Sequence, residues 1–224
     1  MHHTITVNAS LFAQALKDAN TYTSKNIYDD ATNHIVLNVI GKGARLAVVA
    51  CDSHGYYERR LPLIHVKGEP KPSLPGKEQR LCIAAQDALI LHKRIPSRSI
   101  GCVTLQLDDK PAKEERLLVT MTLPDGASTT FFSRTDFEIP DFSRILKMAE
   151  KGKKIAPDLS NVFIPVHEMA RVGKVLPTKG DSAARIYTAK GAGKGHMALL
   201  EYCEPEDDMD VRIIFMLSEL AQAA

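Results

Sequence analysis

Apolar positions along this chain change period three times, each time in the same order. Alternation near Ile5 gives way to spacings of three and four across Leu11, Phe12, Ala15, Leu16 and Ala19, after which alternation resumes. Alternation belongs to a strand with one buried face, and spacings of three and four belong to an amphipathic helix. The first such stretch runs from Ile5 to about Leu63, the second from about Gln79 to Thr135 and the third from Asn161 to Leu220. Each predicts a strand, a helix and three further strands. Repeated units bury one face against their neighbours and leave another for a partner.

The three helices have readable ends. The first begins at Asn8-Ala9-Ser10, where Asn8 or Ser10 can cap the free N–H groups, and it carries Lys17, Thr21 and Lys25 away from its apolar face. The second is expected from Ala84 to about Ile95, stopped by Pro96, with Ala85, Ala88, Leu89 and Ile95 inward and His92, Lys93 and Arg94 near its end. The third is expected from Val166 to about Leu176, closed by Pro177. Val166, Met169, Ala170 and Gly173 form its expected core stripe, with His167, Arg171 and Lys174 opposite. Cations in a last helical turn complement the macrodipole. Their recurrence on every helix points equally to a shared basic surface.

Strand pairs are joined by turn chemistry. Gly41-Lys-Gly43, Pro124-Asp-Gly126 and Lys190 to Gly195 each separate two alternating runs, among them Arg45 to Ala50 and Leu117 to Leu123. Such turns need the positive φ that glycine adopts freely. The last is no phosphate loop: its spacing is wrong, no Ser or Thr follows the Lys, and it joins two strands. A Pro-rich connector, Lys67 to Lys77, links the first two units, and the apolar run Phe137 to Leu146 leads out of the second.

Composition narrows the class without naming a function. Apolar content of 44% and charged content of 25% suit an ordinary globular protein, and no apolar run approaches a membrane span of about eighteen residues. Met1-His-His-Thr lacks a signal-peptide pattern, so a cytoplasmic location and no membrane contact are expected. Cys51, Cys82, Cys102 and Cys203 are scattered, which predicts neither metal, cofactor nor disulfide framework. Net charge is only +2, so placement matters: Lys147 to Lys154 is basic, and Glu204 to Asp210 is acidic. The best catalytic cluster, Cys51-Asp52-Ser53-His54, has neighbours on opposite strand faces, and His167-Glu168 lacks a second His one turn on. No enzyme is expected.

Three segments resemble bacterial DNA polymerase III β sliding clamps. Arg45-Leu-Ala-Val-Val-Ala-Cys-Asp-Ser-His54 is similar to the clamp pattern L-x-x-V-A-T-D-x-H, and Glu138-Ile-Pro-Asp-Phe-Ser-Arg-Ile-Leu146 to its F/Y-P-D-Y-x-R-V/I-L connector. Val211 to Leu220 looks like the closing strand. Departures are Ser53-His54-Gly55-Tyr56, where clamps have Gly-His-Arg-Leu, and Met216-Leu217-Ser218-Glu219, which lacks the usual Pro and Arg.

The resemblance implies an α+β DNA-clamp fold, with helices on one face of antiparallel sheets. Residues 1–139 would form a complete domain of two units (1–66 and 78–136), residues 140–156 a connector, and 157–224 half a domain. It also implies phosphate contacts with duplex DNA, carried here by Lys17, Lys25, Lys93, Arg94, Arg171 and Lys174. A groove for Leu/Phe-containing peptides of DNA polymerases or repair enzymes would comprise Cys51, Ser53, His54, Pro140, Arg144, Ile145, Ile214 and Met216. His54 could serve either surface. A homo-oligomer is expected, with unit three either completed by half of another chain or capped and unable to join a ring. The rival readings are a clamp-fold regulatory module that does not encircle DNA, and a hydrolase using Cys51 or His54.

Overall fold

Three units of identical element order follow one another. The first comprises strands β1 (His2–Asn8), β2 (His34–Ile40), β3 (Arg45–Cys51) and β4 (Gly55–Pro62), with helix α1 (Ala9–Ala19) after β1. The second comprises β5 (Arg80–Ala84), α2 (Ala85–Arg94), β6 (Cys102–Asp108), β7 (Arg116–Thr122) and β8 (Ser128–Arg134). The third comprises β9 (Val162–Phe163), α3 (Val166–Val175), β10 (Arg185–Lys190), β11 (His196–Glu204) and β12 (Met209–Glu219). The computed structural model describes residues 2–26, 32–65, 71–74, 80–96, 99–108, 116–134, 146–147, 162–176, 184–190, 196–204 and 209–219.

Units one and two exchange their first strands. One sheet has the order β1-β6-β7-β8, and the larger runs β10-β11-β12-β4-β3-β2-β5, with β9 attached to β12. All pairings are antiparallel, and the exchange is reciprocal in register: Asn8 opposes Cys102, and Ala84 opposes His34. Each residue before a helix therefore faces the first residue of the strand that follows the other unit's helix. Unit three joins unit one through β12 on β4, where Arg212 opposes Glu58 and Ile214 opposes Tyr56.

The main core lies on the helix side. Phe12, Leu16, Ile35, Leu37, Val48 and Tyr57 are buried there together with Ile213 and Phe215 of unit three, and α1 packs against α2. Asn8 caps α1 by accepting the Leu11 N–H at 3.0 Å. The other sheet face carries a second cluster built on Val36, Val49, Cys51, Tyr56, Leu199 and Ile214, with Leu146 packed against it. An alternating strand normally has one apolar side. Here both sides of β3 are buried, which accounts for its nearly unbroken apolar run.

The expected turns fall where the glycines stand. Lys42 adopts φ 58° between β2 and β3, and Gly126 adopts φ 84° between β7 and β8. Residues 191–195, between β10 and β11, lie outside the described residues, as do 135–145 of the apolar connector.

Two expectations about helix faces are corrected. On α3 the stripe of Val166, Met169, Ala170 and Gly173 is exposed, not core; Val166 is 82% and Met169 58% exposed. Glu168, 1% exposed, and Val175 are buried in its place. Among the described residues no helix packs on α3 as α2 packs on α1, and the apolar stripe is exposed. On α2, Leu89 is 38% exposed, and Leu91 takes the inward position.

Candidate functional site

Lys17, Lys93 and Lys174 occupy one structural position. Each stands nine residues beyond the residue preceding its helix, Asn8, Ala84 and Pro165 respectively, and each is exposed. The helix period therefore directs all three to the same place in their units, in the last turn, where a cation also complements the helix C-terminus. Lys25 is exposed beyond the 3-10 turn that follows α1. Arg94 is exposed and donates from Nη1 to Thr129 Oγ1 at 3.0 Å.

Arg171 departs from this set, being turned into the protein. Its Nη2 donates to Asp52 Oδ2 at 2.8 Å, and its Nη1 to Glu168 Oε1 at 2.9 Å. Its guanidinium carbon lies 4.1 Å from the centre of the Tyr22 ring, a cation–π contact. Tyr22 in turn stacks on Tyr57, with ring centres 5.5 Å apart. The placement has a physical cause: a buried Glu168 requires a compensating cation, and Arg171 is one turn away on the same side. Arg171 thus fastens α3 to unit one and is withdrawn from the basic surface.

Asp52 also shapes the loop between β3 and β4. Its Oδ1 accepts the N–H groups of His54 and Gly55 at 2.9 and 2.8 Å, a side-chain turn that short polar residues form readily. Gly55 sits in close packing. A Cβ there would stand 3.3 Å from the Tyr22 ring and 3.4 Å from the Ile214 carbonyl oxygen. Ser53 and His54 are exposed, with Ser53 Oγ 2.8 Å from His54 Nδ1, and the His54 ring meets the His167 ring edge-on at 5.9 Å.

Cys51 and Ile214 come together. Cys51 opposes Tyr56, Tyr56 opposes Ile214, Ile214 opposes Leu199, and Leu199 opposes Tyr187. Cross-strand partners share a face, so these residues form one apolar row across the junction of units one and three. Beside it runs a charged row, Arg185, Glu201, Arg212 and Glu58, also paired in register. Arg212 Nε lies 3.1 Å from Glu201 Oε1, while Glu58 accepts from the Tyr56 hydroxyl at 2.8 Å and from Arg60. Pro140, Arg144 and Ile145 lie outside the described residues, as does the Met216 side chain.

Burial sets the protonation of several groups. Desolvation pushes the Asp18 carboxyl up to about 7 against the pull of Arg59, whose Nη1 donates to it at 2.9 Å. Burial likewise raises the Tyr22, Tyr56 and Tyr57 phenols and takes the Cys82 thiol up to about 12. A thiol so disfavoured as thiolate is no nucleophile. Among the described residues no group of three His, Cys, Asp or Glu side chains could hold a metal, and no helix is long and apolar enough to cross a membrane.

Sequence reasoning missed Asp52, Glu168, Tyr22, Tyr56 and Arg212 as members of these sites. Asp52 carried a signal, the turn pattern Asp-Ser-His-Gly. Glu168 and Arg171 stand three residues apart, but the pattern alone did not turn that pair inward. Tyr22 and Arg212 gave no local signal, because Arg171 and Glu201 lie beyond their own strands and turns.

The chain has the fold of bacterial DNA polymerase III beta subunits. It is similar to the beta subunit from the DNA polymerase of Streptococcus pyogenes, with 11% identity, a TM-score of 0.58, and coverage of 99% of this chain and 66% of that one. It is similar to the DNA polymerase III subunit beta of Pseudomonas aeruginosa, with 12% identity, a TM-score of 0.57, and coverage of 97% and 65%. The corresponding figures for the beta subunit of Thermotoga maritima are 14%, 0.53, 99% and 66%. The chain therefore spans slightly less than two thirds of the length of these proteins. No family model matches it. A stretch of 58 residues is 38% identical to an arylamine N-acetyltransferase, liver isozyme, of Gallus gallus, covering 25% of this chain and 20% of that protein. That stretch is too short to bear on the fold.

Proposed function

We propose that this chain is a cytoplasmic, non-catalytic clamp-type protein that holds duplex DNA through its helices and tethers a DNA polymerase or repair enzyme through its outer sheet face. The observation that carries the reading is the coincidence of Lys17, Lys93 and Lys174 at one position of three equivalent helices. Point cations repeated at a fixed structural interval suit a phosphate backbone, which repeats its charge regardless of sequence. Lys25 and Arg94 extend that surface. Arg171 acts through α3, holding the helix that presents Lys174.

The partner site is the outer face at the β3–β4 loop and β12. Cys51 and Ile214 supply its apolar floor, with Ser53 and His54 at the exposed rim. Pro140, Arg144, Ile145 and Met216 belong to the same proposed site by resemblance. An apolar floor with a polar rim suits a short peptide bearing Leu or Phe anchors.

The test is duplex binding by the chain in which Lys17, Lys93 and Lys174 are all changed to Glu, titrated over a range of salt. Affinity should fall, and the log–log salt slope should shrink by about 0.9 for every phosphate no longer neutralised. A wild-type chain with no measurable duplex binding at low salt would overturn the DNA role and leave the regulatory module without DNA as the better reading.

A further inference from the structure

Units one and two show how this fold completes itself. Each unit donates its first strand to the other's sheet in the same register, and α1 lies against α2. On α1, which packs against α2, Ala9, Phe12, Ala13 and Leu16 are all buried. Counted from the residue before each helix, their counterparts on α3 are Val166, Met169, Ala170 and Gly173, the exposed stripe. A Cβ at Gly173 would meet nothing within 4 Å.

The sheet repeats the pattern. Counting outward across the paired strands from the Arg212–Glu58 crossing, Ile186 of β10 takes the place of Leu37 of β2. Leu37 is fully buried opposite Leu81 of β5, whereas Ile186 is 37% exposed. Among the described residues no strand pairs with the outer edge of β10. Among the described residues, one helix face and one sheet edge of unit three are thus both uncovered at the places that the exchange fills in units one and two.

We propose that a second copy of unit three covers this face about a twofold axis, with β9 of each copy added to β10 of the other and the two α3 helices in contact. The occupant follows from the reciprocity of the exchange. Unit three carries both halves of it, a first strand that gives and a second strand that accepts, so it complements a unit of its own kind. That is the condition for an isologous interface. The register of units one and two, carried over, sets Phe163 opposite Arg185 of the partner subunit and Val162 opposite Ile186 of the partner subunit. Pairing would also remove an exposed strand edge of the kind proteins usually cover. Ala170 and Gly173 let the helices approach closely, with Val166 and Met169 as the apolar flanks. Lys174 stays free, as its counterpart Lys17 is exposed on α1 although α1 is packed against α2. The pairing stands independently of DNA or peptide binding.

Sedimentation of the full chain from low to high micromolar concentration reads this directly. The wild type should approach twice the monomer mass. Val166→Glu combined with Met169→Glu should raise the dissociation constant at least about tenfold, because charges would be buried in the interface. Leu89→Glu on α2 should leave it unchanged. A photo-crosslinking residue at position 166 should join unit three of one copy to unit three of an isotopically distinct copy. A wild type that stays monomeric, a dimer undiminished by the double substitution, or crosslinks running to units one or two would each overturn the proposal.

Discussion

Helices α1 and α3 hold equivalent places in their units, yet α1 is buried on two sides and α3 on one. Phe12 and Leu16 of α1 are covered, while their counterparts Met169 and Gly173 are exposed. On the side shared by both helices the chemistry also differs. Asp18, paired with Arg59, stands where α3 has the apolar Val175, and Gln14 stands where α3 has Arg171. Burial in this fold is thus allotted by the neighbouring unit: α1 has α2 against it, and among the described residues α3 has no such helix. Unit one is completed by exchange. Unit three is held by β12 on β4 and by the ion pairs of Arg171.

The largest test of this contrast is to truncate the equivalent side chains Phe12 and Met169. Phe12→Ala should cost about 3–5 kcal/mol in urea unfolding, for lost burial plus a cavity. Met169→Ala, measured at a concentration where the chain is monomeric, should fall within about 0.5 kcal/mol of wild type. Equal losses would mean that α3 is covered after all.

A pH dependence should follow from Asp18 and have no counterpart at Val175. The Asp18 carboxyl titrates at about 7 in the fold and near the ordinary value of about 3.9 once unfolded. Between those values the folded chain keeps a proton that the unfolded chain has released. Stability from this group is therefore greatest below about pH 4, falls by roughly 1 kcal/mol per pH unit through the window, and levels off above about 7. Asp18→Asn should flatten that fall in unfolding experiments run across the window. An unchanged slope would assign the dependence to another group.

Smaller again is the loss at the unit junction. Arg171→Ala leaves buried Glu168 and half-buried Asp52 without their shared cation, and about 2–3 kcal/mol should be lost. Gln14→Ala at the equivalent position of α1 removes one hydrogen bond to Asp18 and should cost about 1 kcal/mol. If the two substitutions proved equal, Arg171 would be no more than a peripheral contact.

Most of the element order was legible in the chain because its signals are local. A period change from two to between three and four, a Pro after a helix and a Gly in a turn act within a few residues. The helical lysines were legible for the same reason, since a repeated unit places equal offsets at equal positions. The faces of α3 were not. Its apolar stripe marked Val166 and Met169 as inward by pattern, but Glu168 and Arg171 went inward because Asp52 and Tyr22 were waiting for them. Asp52 is 119 residues from Arg171 in sequence, and no local signal spans that distance.

By itself the sequence determined three strand–helix–strand units, the turns at Gly41 to Gly43 and Pro124 to Gly126, and the basic position shared by the three helices, since each depends on backbone and side-chain preferences over one or two turns of chain. The tertiary structure decided which units exchange strands, that β12 closes on β4 with Arg212 opposite Glu58, and which side of α3 is covered. Those outcomes depend on desolvation and pairing between segments far apart in the chain. A residue's own polarity cannot settle them, because burial is a property of what lies against it.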